Sequence, residues 1–438
     1  MDGSRPDKVA LVTLGCRVGR ADAGSVAGGL PPGFLPAAVG ERADWVVVST
    51  CSVTADAAAS SRQAVRRAAR DHPGARIVVA GCHAAQEGSL LASLPGVAAV
   101  VEPRDHPALP GLLAGLRGGA ASEAALSAAR RAAPPWDAAP EPGAGPARPV
   151  LKVQDGCDDA CAYCAVPLAR GASRSLPLDA CLSRLATLGG GSPEVVLSGV
   201  HLGAWGRDLR PASSLAGLLR AAAAARTVRR IRLSSVEPSE LPLDLLSEEA
   251  GGILCDHFHL PLQSGSDRIL AAMGRSCSAG AFSRVVEALS RARPAAAIGV
   301  DIMAGFPGET EADHRATMSL LASLPIAYFH AFSFSPRPGT RAWAMKDVPR
   351  PGDAARRAAE IRELSRLRWA SFLGALSGRV LEVVVERVEG ARARGTASQR
   401  AVVNFPAGSS RRGELVRVRA GDPGVELDRG VAEAPGSA

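Results

Sequence analysis

Apolar positions in the first part of the chain fall in short branched runs separated by polar, helix-favouring stretches. "VALVTLGC", "DWVVVSTC" and "ARIVVAGC" are continuous rather than alternating, so each reads as a strand buried on both faces. Between the last two lies "TADAAASSRQAVRRAARDHPG", which reads as a helix. Thr54 caps its start, Ala and Arg favour it, and Pro73-Gly74 stops it. Strands alternating with helices predict a parallel, doubly wound sheet. Each of these strands ends in a cysteine, Cys16, Cys51 and Cys82, which places the thiols at the sheet edge where such folds bind ligands. One cysteine there would be read as a small buried hydrophobe. Three in equivalent positions point to a ligand set.

Residues 131–148, rich in Pro, Ala and Gly, read as a linker after an N-terminal domain over 1–130. Strand and helix then alternate about six times. The expected strands are Leu151–Gln154, Glu194–Ser198, Ile231–Ser235, Phe258–Pro261, Ile298–Ala304 and Tyr328–Phe334. Expected helices include Leu178–Leu188, Ser213–Ala225, Ser278–Arg291 and Glu311–Leu324. Six units over 149–376 suggest an incomplete barrel, with an open α/β sheet as the alternative. After a helix over Asp353–Leu376 the period changes to two. "RVLEVVVERVEG", "RAVVNFP" and "ELVRVRA" predict a small antiparallel β domain over 377–438, read as a barrel. Its arginines fit either a solvated surface or an RNA-binding module.

With 438 residues, several domains are expected. No run of eighteen apolar residues is present, so no membrane span is expected, and the N-terminus lacks an export-signal pattern. A cytoplasmic location follows as an expectation. The net charge of +8 comes almost wholly from Arg, since Lys8, Lys152 and Lys346 are the only lysines. That balance suits a nucleic-acid partner, although a GC-rich genome gives the same excess. Nine cysteines in such a chain argue against a disulfide framework and for metal or redox ligands.

The sharpest cluster is "QDGCDDACAYCAVP", with Cys157, Cys161 and Cys164 spaced by three and then two residues. Tight thiolate loops hold iron–sulfur clusters. Three protein thiols on a four-iron cube leave one iron open to another ligand, as a catalytic zinc keeps an open position. A zinc site completed by Cys181 or His201 is the competing reading. Cys181, Cys255 and Cys277 have no ligand spacing and read as structural. His201, His257, His259 and His330 read as core or mouth residues rather than metal ligands.

The triad, with an aromatic Tyr163 before its last Cys, resembles the radical S-adenosyl-L-methionine enzymes. "TLGC", "STC", "GCHAAQ", "LSGVHLGAWG", "RLSSVEPSEL", "HLPLQSGSDRIL", "DIMAGFPGET" and "FSFSPRPGTRA" extend the resemblance to the methylthiotransferases along nearly the whole chain. The resemblance implies a cluster-bearing N-terminal α/β domain, a partial (β/α)6 radical barrel and a C-terminal TRAM β-barrel. It implies two 4Fe–4S clusters, one on Cys157, Cys161 and Cys164 and one on Cys16, Cys51 and Cys82. S-adenosyl-L-methionine would bind beside the first, near Tyr163, Ser198, Gly199, Ser235, Glu237, Gln263, Gly305 and Gly308, with Ser264 positioned to bond the cosubstrate or the RNA; Glu309 is expected to open the following helix, where the dipole favours an acid. These positions sit at strand ends, where barrels place their sites.

Within the family, "LSGVHLGAWG" and "RIRLSSVEPSEL" look most like the branch acting on threonylcarbamoyladenosine. The expected reaction is methylthiolation at C2 of that base in tRNA, at adenosine 37 of the anticodon loop, a site where bases can be splayed out and read. Isopentenyladenosine in tRNA and a ribosomal-protein aspartate are the family's alternatives, and a zinc-stabilised RNA-binding protein is the non-enzymatic one. Expected partners are tRNA and an electron donor such as flavodoxin or ferredoxin, with the chain itself a monomer. Family members often carry Asn and Gln shortly after the first Cys, where this chain has Gly19 and Arg20.

Overall fold

The computed structural model describes residues 5–134, 136, 146–247 and 249–430. Most of the expected 131–148 linker therefore lies outside the described residues.

The N-terminal part comprises β1 (Asp7–Thr13), α1 (Arg17–Gly28), β2 (Phe34–Pro36), β3 (Trp45–Thr50), α2 (Ala55–Asp71), β4 (Arg76–Gly81), α3 (Cys82–Ala92), β5 (Val97–Val101), α4 (Leu109–Arg117) and α5 (Ser122–Ala132). Its five strands form one parallel sheet in the order β2-β1-β3-β4-β5. Successive residues serve opposite faces. Val47, Val78 and Ala80 pack with Val26 of α1 and with Leu109, Leu112 and Leu113 of α4. Val46, Val48, Ile77 and Val79 pack with Val65 of α2 and Leu91 of α3. This two-sided burial is why the strands read as unbroken apolar runs. Helix α5 passes residue 130, where Arg130 Nε donates to Asp105 at 2.8 Å.

The first expected strand stops at Thr13, short of Cys16, because Gly15 turns the chain at φ +97°. Gly81, at φ +105°, ends β4 so tightly that a Cβ there would stand 2.5 Å from the Thr50 carbonyl oxygen. Gly81→Ala is expected to cost about 1–3 kcal/mol. A lower denaturant midpoint would show it, and an unchanged midpoint would contradict it.

The central part comprises β6 (Val150–Lys152), β7 (Gln154–Asp155), α6 (Val166–Arg170), β8 (Arg174–Ser175), α7 (Leu178–Gly189), β9 (Glu194–Ser198), α8 (Leu215–Ala225), β10 (Arg230–Leu233), β11 (His257–His259), α9 (Asp267–Met273), α10 (Ala279–Ala292), β12 (Ala297–Ala304), α11 (Glu311–Ser323) and β13 (Tyr328–Ser333). Strands β6, β9 and β10 pair in parallel, as do β11, β12 and β13; an Ile231–Leu254 bridge and a bond from Val236 N to His259 O at 3.0 Å link β10 and the residues after it to β11 and its lead-in. The result is the incomplete six-strand barrel. Leu151, Leu197, Ile231, Leu233, Phe258, Ile298, Val300 and Phe329 pack outward under the helices. The alternate positions, Lys152, Ser198, Arg232, His257, His259, Asp301, Tyr328 and His330, turn inward, so the lumen is polar.

Helix α12 (Pro351–Ala375) leads to β14 (Val380–Glu389), β15 (Arg392–Ala397), β16 (Val402–Pro406), β17 (Leu415–Arg419) and β18 (Glu426–Leu427). These strands form a five-stranded antiparallel sheet, ordered β17-β14-β15-β16-β18, over a core shared with Trp369 and Leu373 of α12. The sheet caps the amino-terminal ends of the barrel strands. Arg230 and Arg232 donate from there to the carbonyls of Glu382, Thr396, Ala397 and Ser398. No helix among the described residues is long and apolar enough to cross a membrane.

Candidate functional site

Cys16, Cys51 and Cys82 lie just past the carboxyl ends of β1, β3 and β4, at the N-cap of α1, the residue after β3 and the first residue of α3. Gly15 lets their loops touch, since a Cβ on it would stand 2.7 Å from the Cys51 Cβ. Ser61 of α2 fixes Cys51 by accepting its N–H at 3.0 Å and donating to its carbonyl at 2.9 Å. Burial pushes the Cys51 thiol up to about 12, and the neighbouring Cys16 and Cys82 add to the shift. Burial also raises the Cys82 thiol, opposed by Arg170. Gly19 is buried and Arg20 exposed on α1.

Cys157, Cys161 and Cys164 occupy the loop from β7 to α6. Backbone bonds hold this loop without using the thiols: Ala162 N donates to Met273 O at 2.8 Å, and Ala342 N donates to Ala162 O at 2.7 Å. At Gly156, φ +71°, a Cβ would stand 2.0 Å from the Ala172 carbonyl oxygen, so only glycine fits. Burial raises the Cys161 thiol and pushes Cys164 up to about 12. The two trios face each other: Cys164 senses Cys82 electrostatically, and Arg170 Nε donates to Cys82 Sγ at 3.3 Å.

His201 lies 3.5 Å from Cys157 Sγ through Nδ1 and 2.8 Å from Glu240 through Nε2. Those contacts, Cys157 first and then Glu240, raise it to about 10. Cys157, Asp159 and His201 bring their ligand atoms within 4.8 Å of one another, so His201 is where the zinc reading would place a ligand. Cys181 is not: it is buried elsewhere and donates to Leu176 O at 3.4 Å. Cys255 and Cys277 are likewise buried outside both trios.

Around the mouth, Ser198 is buried with its hydroxyl unpartnered, and a Cβ on Gly199 would meet Gln154 Oε1 at 2.8 Å. Ser235 is exposed, and the neighbouring Ser234 carries the buried, unpartnered hydroxyl. Glu237 accepts two bonds from Arg275, at 2.8 and 2.5 Å, and Arg275 also reaches Pro261 O at 2.7 Å. Tyr163 packs beside Phe306 and Met273. Gln263 adopts φ +81° with its side-chain oxygen buried and unpartnered. Ser264 lies against Thr317 at 3.4 Å. Gly305 and Gly308 both have φ +81°. Glu309 does not open the following helix. Thr310 caps it, and Glu309 is buried against Arg357 at 2.8 Å and the Gly305 N–H at 2.6 Å.

In the lumen, Tyr328 Oη bonds His257 at 2.8 Å and His259 at 3.1 Å, and Arg400 from the C-terminal sheet reaches it at 2.6 Å. Asp301 pairs with His259 at 2.9 Å and His330 at 3.3 Å. The sequence reading had not picked out Arg170 or Arg275. No motif in the sequence singles out either: each is one arginine in an arginine-rich chain.

Two trios of soft donors, exposed at Cys16 and half-buried at the other five, together with buried unpartnered polar atoms at Ser198, Ser234 and Gln263, fit thiolate-held iron–sulfur clusters and a polar cosubstrate. Residues 151–321 match the radical SAM superfamily, and residues 8–102 match the uncharacterized protein family UPF0004. A methyltransferase of the radical S-adenosylmethionine class, TsrM from Kitasatospora setae, shares the fold at TM-score 0.57 and 14% identity over 77% of each chain. The fold and site thus define a radical SAM enzyme with S-adenosyl-L-methionine and an iron–sulfur cluster as cofactors. The chain is 36% identical over 397 residues, 88% of each chain, to the tRNA-2-methylthio-N(6)-dimethylallyladenosine synthase of Sphingopyxis alaskensis. It is 34% identical over 395 residues, 87% of each, to the enzyme of that name from Erythrobacter litoralis. It belongs to the tRNA methylthiotransferase family of radical SAM enzymes.

Proposed function

We propose that the protein transfers a methylthio group to C2 of N6-dimethylallyladenosine, the isopentenyl-bearing base, beside the anticodon of tRNA. The likeness to two enzymes of that name, over 87–88% of each chain, supports this substrate over the threonylcarbamoyl one expected from the motifs. The observation that carries the chemistry is the pair of cysteine trios meeting at one interface, bridged by Arg170. Cys157, Cys161 and Cys164 would hold the cluster that, when bound, supplies one-electron cleavage of S-adenosyl-L-methionine. Cys16, Cys51 and Cys82 would hold a second, giving two 4Fe–4S clusters.

Tyr163, Ser198, Gly199, Ser235, Glu237, Gln263, Gly305 and Gly308 border the mouth and would seat the cosubstrate. Arg275 would hold Glu237 in place through its paired bonds. Both trios come from one chain, which suits a monomer reduced by a flavodoxin or ferredoxin in the cytoplasm.

A second reading keeps threonylcarbamoyladenosine as substrate. One observation favours it: the lumen carries cations and hydrogen-bonding groups rather than an apolar wall. Arg17 donates to Leu233 O at 3.2 Å, and burial followed by the nearby Arg400 lowers it to about 9. Such a floor suits a substituent bearing a carboxylate. Nucleoside mass analysis of tRNA from a strain lacking the gene separates the two. Loss of the 2-methylthio-dimethylallyl nucleoside is expected. Loss of the threonylcarbamoyl counterpart instead selects the second reading, and unchanged levels of both overturn the tRNA assignment.

A further inference from the structure

Arg170 is the last residue of α6, six positions after Cys164, and its side chain is 3% exposed. All three faces of its guanidinium are used. Nε donates to Cys82 Sγ at 3.3 Å, Nη1 to Asp155 at 2.9 Å and Nη2 to Asp22 of α1 at 2.8 Å. Lys152 completes the group, bonding Asp22 and lying 3.2 Å from Asp155. Two cations and two carboxylates are thereby buried together, drawn from β6, β7, α6 and α1. Charges buried at this depth persist only when they are paired and oriented. The two carboxylates fix the plane of the guanidinium and leave its third edge aimed at one sulfur. That sulfur belongs to the opposite trio from the loop that carries Arg170.

We propose that Arg170 is a positioning residue that docks the radical-barrel cysteine loop onto the N-terminal domain and, through its N–H bond to Cys82, sets the reduction potential of the cluster held there. The inference rests on the reading that Cys16, Cys51 and Cys82 hold a cluster. The physical basis is electrostatic. Adding one electron to a cluster raises the negative charge on its thiolates, and a fixed cation donating a hydrogen bond stabilises that charge. The reduced form is favoured and the potential rises. Lysine at this position would keep the charge but could not present three donors in one plane.

The test uses the full chain with Cys157→Ala, Cys161→Ala and Cys164→Ala, which leaves only the N-terminal trio. After anaerobic reconstitution, iron and sulfide are counted, and the cluster is titrated with dithionite, one electron per cluster, under EPR. Absence of any cluster in this parent overturns the two-cluster reading itself. With a cluster present, Arg170→Gln is expected to lower the reduced-to-oxidised ratio about tenfold at the parent's midpoint, equivalent to about 59 mV for one electron. Arg170→Lys should recover part of that shift. A midpoint unchanged in Arg170→Gln overturns the inference. Should that variant fail to fold, Asp22→Asn provides the second measurement. Asp22→Asn removes a negative charge that offsets Arg170 and Lys152, leaving a larger net positive charge beside Cys82, so its midpoint should move the other way, and an unmoved midpoint there also overturns the inference.

Discussion

Cys161→Ala is expected to reduce methylthiolated product to background while the chain stays folded and keeps about half of its iron. The loop that presents Cys161 is held by backbone bonds, from Ala162 N to Met273 O and from Ala342 N to Ala162 O, and by Arg341 reaching Ala160 O at 2.5 Å. None of these involves the thiol. Removing one half-buried sulfur should therefore cost the apo-fold no more than about 1.5 kcal/mol. The cofactor loses far more. With Ala at this position, only Cys157 and Cys164 remain of a trio that has no spare cysteine nearby, since Cys181 and Cys277 are committed to Leu176 O and Ser278 O. Groups that act as a unit fail as a unit. Iron and sulfide analysis, thermal melting and tRNA nucleoside analysis on one anaerobic preparation check all three parts. Retained product, or loss of all iron, contradicts the assignment of this trio.

The parts of the fold visible in the sequence were those whose physics is local. β3 and β4 are buried on both faces, so their valines form unbroken runs that need no tertiary information. β2 is three residues ending in Pro36, and β5 is diluted by alanines, so neither carried a strand signal. The cysteine trios were legible because Cys16, Cys51 and Cys82 recur after three strands of a repeating fold and Cys157, Cys161 and Cys164 crowd one short loop. Register was less secure. The expected strand ran to Ser235, but β10 ends at Leu233; beyond it Ser234 has a buried hydroxyl and Ser235 is exposed. Glu309 was misplaced for a similar reason, since Thr310 can cap and an acid before the cap is free to turn inward. Arg170 was not legible at all. Its meaning comes from Asp22, 148 residues away, and one arginine in an arginine-rich chain announces nothing.

Glu194→Gln is expected to destabilise the protein by about 3–5 kcal/mol, the usual effect of breaking a buried ion pair from one side. Glu194 opens β9 with its side chain fully buried. It accepts from Arg230 Nε at 2.7 Å and from Arg232 Nε at 2.7 Å, and Arg148 lies at 3.4 Å. The remaining donors of Arg230 and Arg232 are spent on carbonyls of the C-terminal sheet. This carboxylate therefore neutralises the guanidiniums that fasten the sheet to the barrel. Glutamine keeps the shape but leaves buried Arg232 without its carboxylate partner and Arg230 with only Glu382 at 4.0 Å. The effect should concentrate at the junction, appearing as earlier proteolysis of the C-terminal sheet as well as a lower melting temperature. The pH dependence has a definite sign. Burial pushes the Glu194 carboxyl up, but Arg232 and Arg148 outweigh it and hold it below the ordinary carboxylate value. A depressed folded value contributes stability that is fully present above the unfolded value, near 4.3, and is lost as pH falls toward the folded one. The gap between wild type and Glu194→Gln should be constant from pH 6 to about 5 and narrow below about 4. A gap that stays constant into acid would mean that the carboxylate charge is not what holds the junction.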